Sequence, residues 1–147
     1  MTIYTIGFTK KSAKTFFELI SGHNIELLLD IRLNNKSQLA GFTKGDDLQY
    51  FLAELCHCAY LHCLEYAPTK EILSDYQKKQ ITWDEYVDRY TALMEQRGSC
   101  TDFWERFSNN RNICLLCSEP TPEHCHRRLM AEIIAAHAPE RAKIVHL

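Results

Sequence analysis

Apolar and polar positions alternate along this chain in two periods. "TIYTIG", residues 2–7, is β-branched and aromatic and predicts a strand that Gly7 ends. Ala13, Phe16, Phe17 and Ile20 then recur at helical spacing. "ELLLDIR", residues 26–32, has a continuous apolar centre, the pattern of a strand covered on both faces. Leu48, Phe51, Leu52 and Leu55 mark a second helix, and residues 59–63, "AYLHC", a short strand. Two helical stretches follow, one over residues 69–79 and one carrying Trp83, Tyr86, Val87, Tyr90 and Met94 on one face. A shorter piece surrounds Phe103, Trp104 and Phe107. "NICLLC", residues 112–117, is the strongest strand signal. A last helix is expected to open near "TPEH", with Thr121 as N-cap and Pro122 in the first helical position. Leu129, Met130, Ile133, Ile134 and His137 continue it, with His137 at its carboxyl end. "KIVHL", residues 143–147, closes as a strand.

The order β-α-β-α-β-ααα-β-α-β predicts an α/β fold. The expectation is one domain over residues 1–147, with a mainly parallel sheet of about five strands flanked by helices in a Rossmann-like three-layer arrangement. The length of 147 residues suits one core, and 46% hydrophobic with 24% charged residues is an ordinary globular balance.

The formal net charge of −2 argues against a strong, sequence-independent grip on nucleic acid. No apolar run reaches the roughly 20 residues of a membrane span, so no membrane partner is expected. The start lacks the order of a signal peptide, which predicts a cytoplasmic protein with its seven cysteines mostly reduced. Nothing in the sequence sets an oligomeric state.

Ligands of open α/β sheets bind beyond the carboxyl ends of the strands. There the expected topology gathers Gly7, Phe8, Thr9 and Lys10; Asp30, Arg32 and Ser37; Cys117, Ser118 and Glu119; His124, Cys125, His126, Arg127 and Arg128; and His146. A helix N-terminus attracts anions, and guanidinium groups bind phosphate or carboxylate. The same field favours thiolate at Cys117 or Cys125. Cys117, Glu119 and Cys125 are therefore the catalytic candidates, with Glu119 as acid or base. Thr9, Asp30, Arg32, His126 and Arg127 are the ligand-binding candidates. Arg32 also has a plainer reading, as an ion-pair partner, with Glu119 the partner considered.

Cys117 and Cys125 lie eight positions apart, unlike the paired spacing of zinc ribbons. On the expected helix consecutive residues diverge by about 100°, so Cys125 and His126 cannot easily bind one ion together, whereas Cys125 with Cys117 across the loop could. No metal and no cofactor is assigned on these grounds. The second cluster, "CHCAYLHC", residues 56–63, reads as structural, since free cysteines behave as small buried hydrophobes. The stripe Trp83, Tyr86 and Tyr90 reads as core.

"YTIG" (4–7), "DIR" (30–32), "LCSE" (116–119), "CHR" (125–127) and the closing "VHL" occur in order. In these motifs the chain resembles the family called domain of unknown function number 488, over nearly its whole length. That resemblance implies a compact, mostly bacterial α/β domain and no settled activity. The chain departs from it at Phe8, where relatives often carry histidine, at "LNNKS" after Arg32, where many carry proline, and at "LEYAPT", where many carry Leu-Gly. A role tied to that histidine is absent here. Similarity to rhodanese-type sulfurtransferases and cysteine phosphatases stops at analogy, because the loop "SEPTPEH" has no glycine to wrap a phosphate.

Three readings stay open. The leading one is an enzyme acting on a small anionic or nucleotide-like ligand at the carboxyl edge of the sheet, with a reactive thiol. The second is a non-enzymatic ligand- or nucleic-acid-binding module, and the third a metal-binding protein.

Overall fold

Five parallel strands form one sheet in the order β3-β2-β4-β1-β5. A computed structural model describes residues 1–37, 40–138 and 140–147. Its elements are β1 (Thr2–Gly7), α1 (Ala13–Gly22), β2 (Leu27–Asp30), α2 (Gly45–Cys56), β3 (Ala59–His62), α3 (Lys70–Gln77), α4 (Trp83–Arg97), α5 (Ser99–Phe107), β4 (Asn112–Cys117), α6 (His126–Ala136) and β5 (Lys143–His146). The α/β architecture and the parallel sheet expected from the alternating pattern are both present.

Alternation along each strand divides the core in two. Ile3, Leu29, Ile113 and Leu115 face one side, where they meet Tyr86, Tyr90 and Met94 of α4, Phe103 of α5, and Leu129 and Met130 of α6. Ile6, Leu28, Cys114 and Leu116 face the other, against Phe16 and Ile20 of α1 and Leu48 and Leu52 of α2. β4 lies between β2 and β1 and is buried on both faces, which explains its unbroken apolar run.

The helices following β1 and β2 therefore cover one face, and the helix following β4 covers the other. The chain diverges at β4, so a crevice opens between its carboxyl end and those of its neighbours. The insert α3–α5 is tied back to this edge. Tyr90 donates to the Tyr66 carbonyl at 2.7 Å, and Arg97 to the Ala67 carbonyl at 2.8 Å. Thr82 caps α4 reciprocally with Glu85, fixing where that helix starts.

The expected start of the last helix needs correction. α6 begins at His126, and its N-cap is Cys125 in an extended conformation, not Thr121. Residues 118–125 form a loop instead. Thr121 offers only an exposed cap, worth about 1 kcal/mol. The longer loop instead lets Cys125, His126 and Arg127 all become buried, with His126 bonded to the Ile31 carbonyl and Arg127 to the Glu119 carbonyl.

Gly7, at the end of β1, has no room for a side chain. A Cβ there would run into the Glu119 carbonyl oxygen and come within 2.7 Å of Arg127 Nη1. Gly22, at the end of α1, has open space around it. Gly7→Ala should cost about 3 kcal/mol or more, because backbone must move. Gly22→Ala should be neutral or stabilise by up to about 1 kcal/mol. Urea midpoints of the two variants check this, and equal effects would contradict the packing described.

Candidate functional site

β4 ends at Cys117 and β2 ends at Asp30, whose partner across the ladder is Leu116, one place before Cys117. The crevice beyond them is a cleft of about 590 Å³. Its floor is Cys117, Cys125 and His126. One wall is Tyr76, Trp83 and Tyr86 from α3 and α4; the rim includes Arg32, Asn34, Lys79, Glu119 and His124. The volume lies within the usual span of small-molecule sites.

The floor is the chemically dense part. The Sγ atoms of Cys117 and Cys125 and a ring nitrogen of His126 all lie within 4.8 Å of one another, and all three residues are buried. Cys117 Sγ is 3.6 Å from His126 Nδ1. His126 Nε2 is 2.8 Å from the Ile31 carbonyl oxygen. A carbonyl can only accept, so Nε2 donates to it and Nδ1 is left facing Cys117. The expectation that Cys125 and His126 diverge fails because Cys125 precedes the helix rather than lying within it.

The two thiols are not equivalent. The Cys125 thiol beside Cys117 holds the Cys117 pKa below its ordinary value. Backbone N–H groups of Ser118 and Glu119 and the Arg127 charge reinforce the effect, and burial opposes it. Burial pushes the Cys125 thiol well up, and its interaction with Cys117 adds to that. Of the two, Cys117 is the thiol whose ionised form its surroundings favour, and Cys125 the one whose neutral form they favour.

Arg127 lies behind the loop rather than in the cleft. Its guanidinium is fully buried. Nη1 donates to the Glu119 carbonyl at 2.5 Å and approaches Cys125 Sγ at 3.7 Å. Nε and Nη2 have no acceptor among the described residues, and no ion pair involves Arg127. Its charge also contributes, after burial, to lowering the pKa values of Lys11 and His146.

Asp30 and Arg32 pair with each other. Arg32 Nε and Nη2 grip the two Asp30 carboxylate oxygens at 2.8 and 2.7 Å, and both residues are buried. Arg32 also donates to the Thr43 carbonyl at 2.7 Å, and Tyr60 donates to Asp30 at 2.6 Å. Asp30, not Glu119, is thus the ion-pair partner of Arg32. The bidentate fork expected to clamp a ligand is already occupied by Asp30. Glu119 is exposed on the rim, with its carboxylate available and its backbone carbonyl held by Arg127. Thr9 is exposed, and its N–H bonds the Ser118 carbonyl at 3.2 Å, which joins the β1 and β4 loops away from the cleft lining.

Of the expected site residues, Cys117, Cys125, His126, Glu119 and Arg32 share the cleft. Asp30 and Arg127 lie beneath it, and Thr9 stands apart. The aromatic wall was read only as core. Tyr86 and Tyr90 are core, but Trp83 is half-buried and stacks on Tyr86 at 5.1 Å, facing the cleft. The signal for that was Thr82: a helix capped just before a tryptophan presents the ring at its exposed end. In the second cysteine cluster, Cys58 and Cys63 are core and His62 bonds the Arg32 carbonyl at 2.8 Å. Among the described residues, only Cys117, Cys125 and His126 form a group able to share an ion.

The fold and its floor of two thiols and an imidazole define an α/β protein with a sulfur–nitrogen centre at the carboxyl edge of its sheet. The family model "Domain of unknown function DUF488" matches residues 12–134, and the chain belongs to that family. No curated protein and no solved structure matches it. Among the described residues no helix is long and apolar enough to cross a membrane.

Asp30→Ala would strand the buried Arg32 charge. It should cost about 3–5 kcal/mol of stability, the usual penalty for halving a buried pair. Chemical denaturation measures it, and a loss below about 1 kcal/mol would show that Arg32 escapes to solvent.

Proposed function

We propose that the protein is an enzyme acting on a small anionic, nucleotide-like ligand held in this cleft, with Cys117, Cys125 and His126 as its chemical centre. The observation that carries the reading is the convergence of three buried donor atoms on the floor of an aromatic-walled cleft. A purely structural cluster would have no reason to line a cleft of that size. The reading is also supported by the start of α6, which lacks a side-chain cap and brings the positive end of its dipole to the floor. An anionic group of the ligand sits there, and Lys79 adds charge at the rim. The flat part of the ligand lies along Tyr76 and Trp83.

In this reading Cys117 is the activated sulfur. His126 Nδ1 faces it, and the Ile31 carbonyl fixes the ring. Glu119, exposed on the rim, exchanges protons with the ligand. Arg32 and Arg127 act indirectly. Arg32 braces the rim through Asp30, and Arg127 holds the loop and its charge beneath the thiols. The compartment is the reducing cytoplasm, which suits seven free cysteines.

Thermal unfolding of the reduced protein with nucleotides, sugar phosphates and small dicarboxylates tests this. At a concentration about 100 times Kd, a ligand of the site stabilises by about 2.7 kcal/mol and raises Tm by several degrees. Trp83→Ala should weaken that shift. Cys117→Ser should keep the shift and abolish conversion of the ligand, followed by mass spectrometry. No shift from any anion, or unchanged conversion by Cys117→Ser, would contradict the enzyme. Binding without conversion in the unaltered protein would favour a binding module.

A further inference from the structure

We infer that Cys117, Cys125 and His126 together hold one soft divalent metal ion of the zinc class, with a fourth coordination position open to the cleft. The inference deepens the reading above by naming a cofactor for the same centre, in which Cys117 serves as a ligand of the ion rather than as a free nucleophile. It rests on that reading only for the purpose of the ion, since the ligand set stands by itself.

Geometry carries the argument. In a tetrahedral zinc site with Zn–S of about 2.3 Å and Zn–N of about 2.05 Å, a sulfur and a nitrogen lie about 3.6 Å apart and two sulfurs about 3.8 Å. Cys117 Sγ and His126 Nδ1 are 3.6 Å apart, and no pair of the three donor atoms exceeds 4.8 Å. Side-chain rotation of less than about 1 Å therefore suffices to close the set. Two thiolates and one imidazole suit zinc and related soft ions, and they do not suit magnesium or calcium.

The surroundings are those of a ligand set. Metal-binding imidazoles nearly always donate their second ring N–H to a fixed acceptor. Here His126 Nε2 meets the Ile31 carbonyl at 2.8 Å, which leaves Nδ1 as the coordinating atom. Metal-bound thiolates accept N–H hydrogen bonds, and Arg127 Nη1 points at Cys125 Sγ at 3.7 Å. Two thiolates neutralise the charge of the ion, so the buried Arg127 meets no net positive centre. Three protein ligands with one free position is the arrangement of catalytic rather than structural zinc. All three line the cleft, so the fourth position faces a water or the ligand.

The test uses the full chain without an affinity tag, purified reduced and without chelator. Elemental mass spectrometry should find about one zinc per chain, and competition with a chromophoric chelator should give its affinity. Cys117→Ser, Cys125→Ser and His126→Gln should each weaken zinc binding by more than about 100-fold, beyond what loss of an outer partner costs. Cys56→Ser, half-buried at the carboxyl end of α2 against the opposite core, should not change it. Circular dichroism shows whether each variant is folded. The unaltered protein decides the matter if one is not, because less than about 0.1 zinc per chain after incubation with zinc overturns the inference. Equal affinity in Cys56→Ser and Cys117→Ser overturns it too. Zinc bound with no anion recognised would leave the ion and remove the proposed substrate. Anion recognised with no zinc would do the reverse.

Discussion

A buried guanidinium organises this protein. Arg127 is fully enclosed, forms no ion pair among the described residues, and spends Nη1 on the Glu119 carbonyl. Burying an isolated cation is costly, so the fold must answer the charge nearby. Its charge lowers the pKa values of the Cys117, Cys125 and Cys114 thiols, behind larger effects of burial and of the contact between Cys117 and Cys125. The same contact pins the loop after β4 over Gly7, where no side chain fits. One residue thereby sets the path of the loop, the late start of α6, and the meeting of three donor atoms.

A second buried pair frames the other side of the cleft. Arg32 and Asp30 lock together at the end of β2, with Tyr60 and Thr43 completing their hydrogen bonds. This rigid bracket carries the Ile31 carbonyl that orients His126. The two arginines have parallel duties. Arg127 is sunk beneath the site and Arg32, itself buried, borders it, and each fixes a backbone carbonyl or loop on which a reactive side chain depends. Neither offers its charge to the cleft as a free bidentate fork.

The sheet was legible because strands covered on both faces leave unbroken apolar runs, as in β4, while amphipathic helices leave a 3.6-residue stripe. The gathering of Cys117, Glu119, Cys125 and His126 followed from topology alone, because parallel strands deliver their following loops to one edge. The pairing of Asp30 with Arg32 was also readable, since the expected strand over residues 26–32 put the two on one face, although β2 itself ends at Asp30. It was overlooked in favour of the more distant Glu119. The start of α6 was not readable. "TPEH" carries a good local cap signal, and only the burial of Arg127 against a carbonyl eight residues earlier overrides it. The spacing argument against a shared ion failed with it, because Cys125 is extended and not helical.

The central claim is that Cys117, Cys125 and His126 act as one centre. A cobalt(II) titration of the reduced chain reads this directly, because thiolate coordination gives an intense sulfur-to-cobalt band and tetrahedral geometry gives strong visible bands. The account predicts both, saturating at one equivalent and absent from Cys117→Ser. Only the faint visible bands of six-coordinate cobalt, with no sulfur band at any ratio, would contradict it.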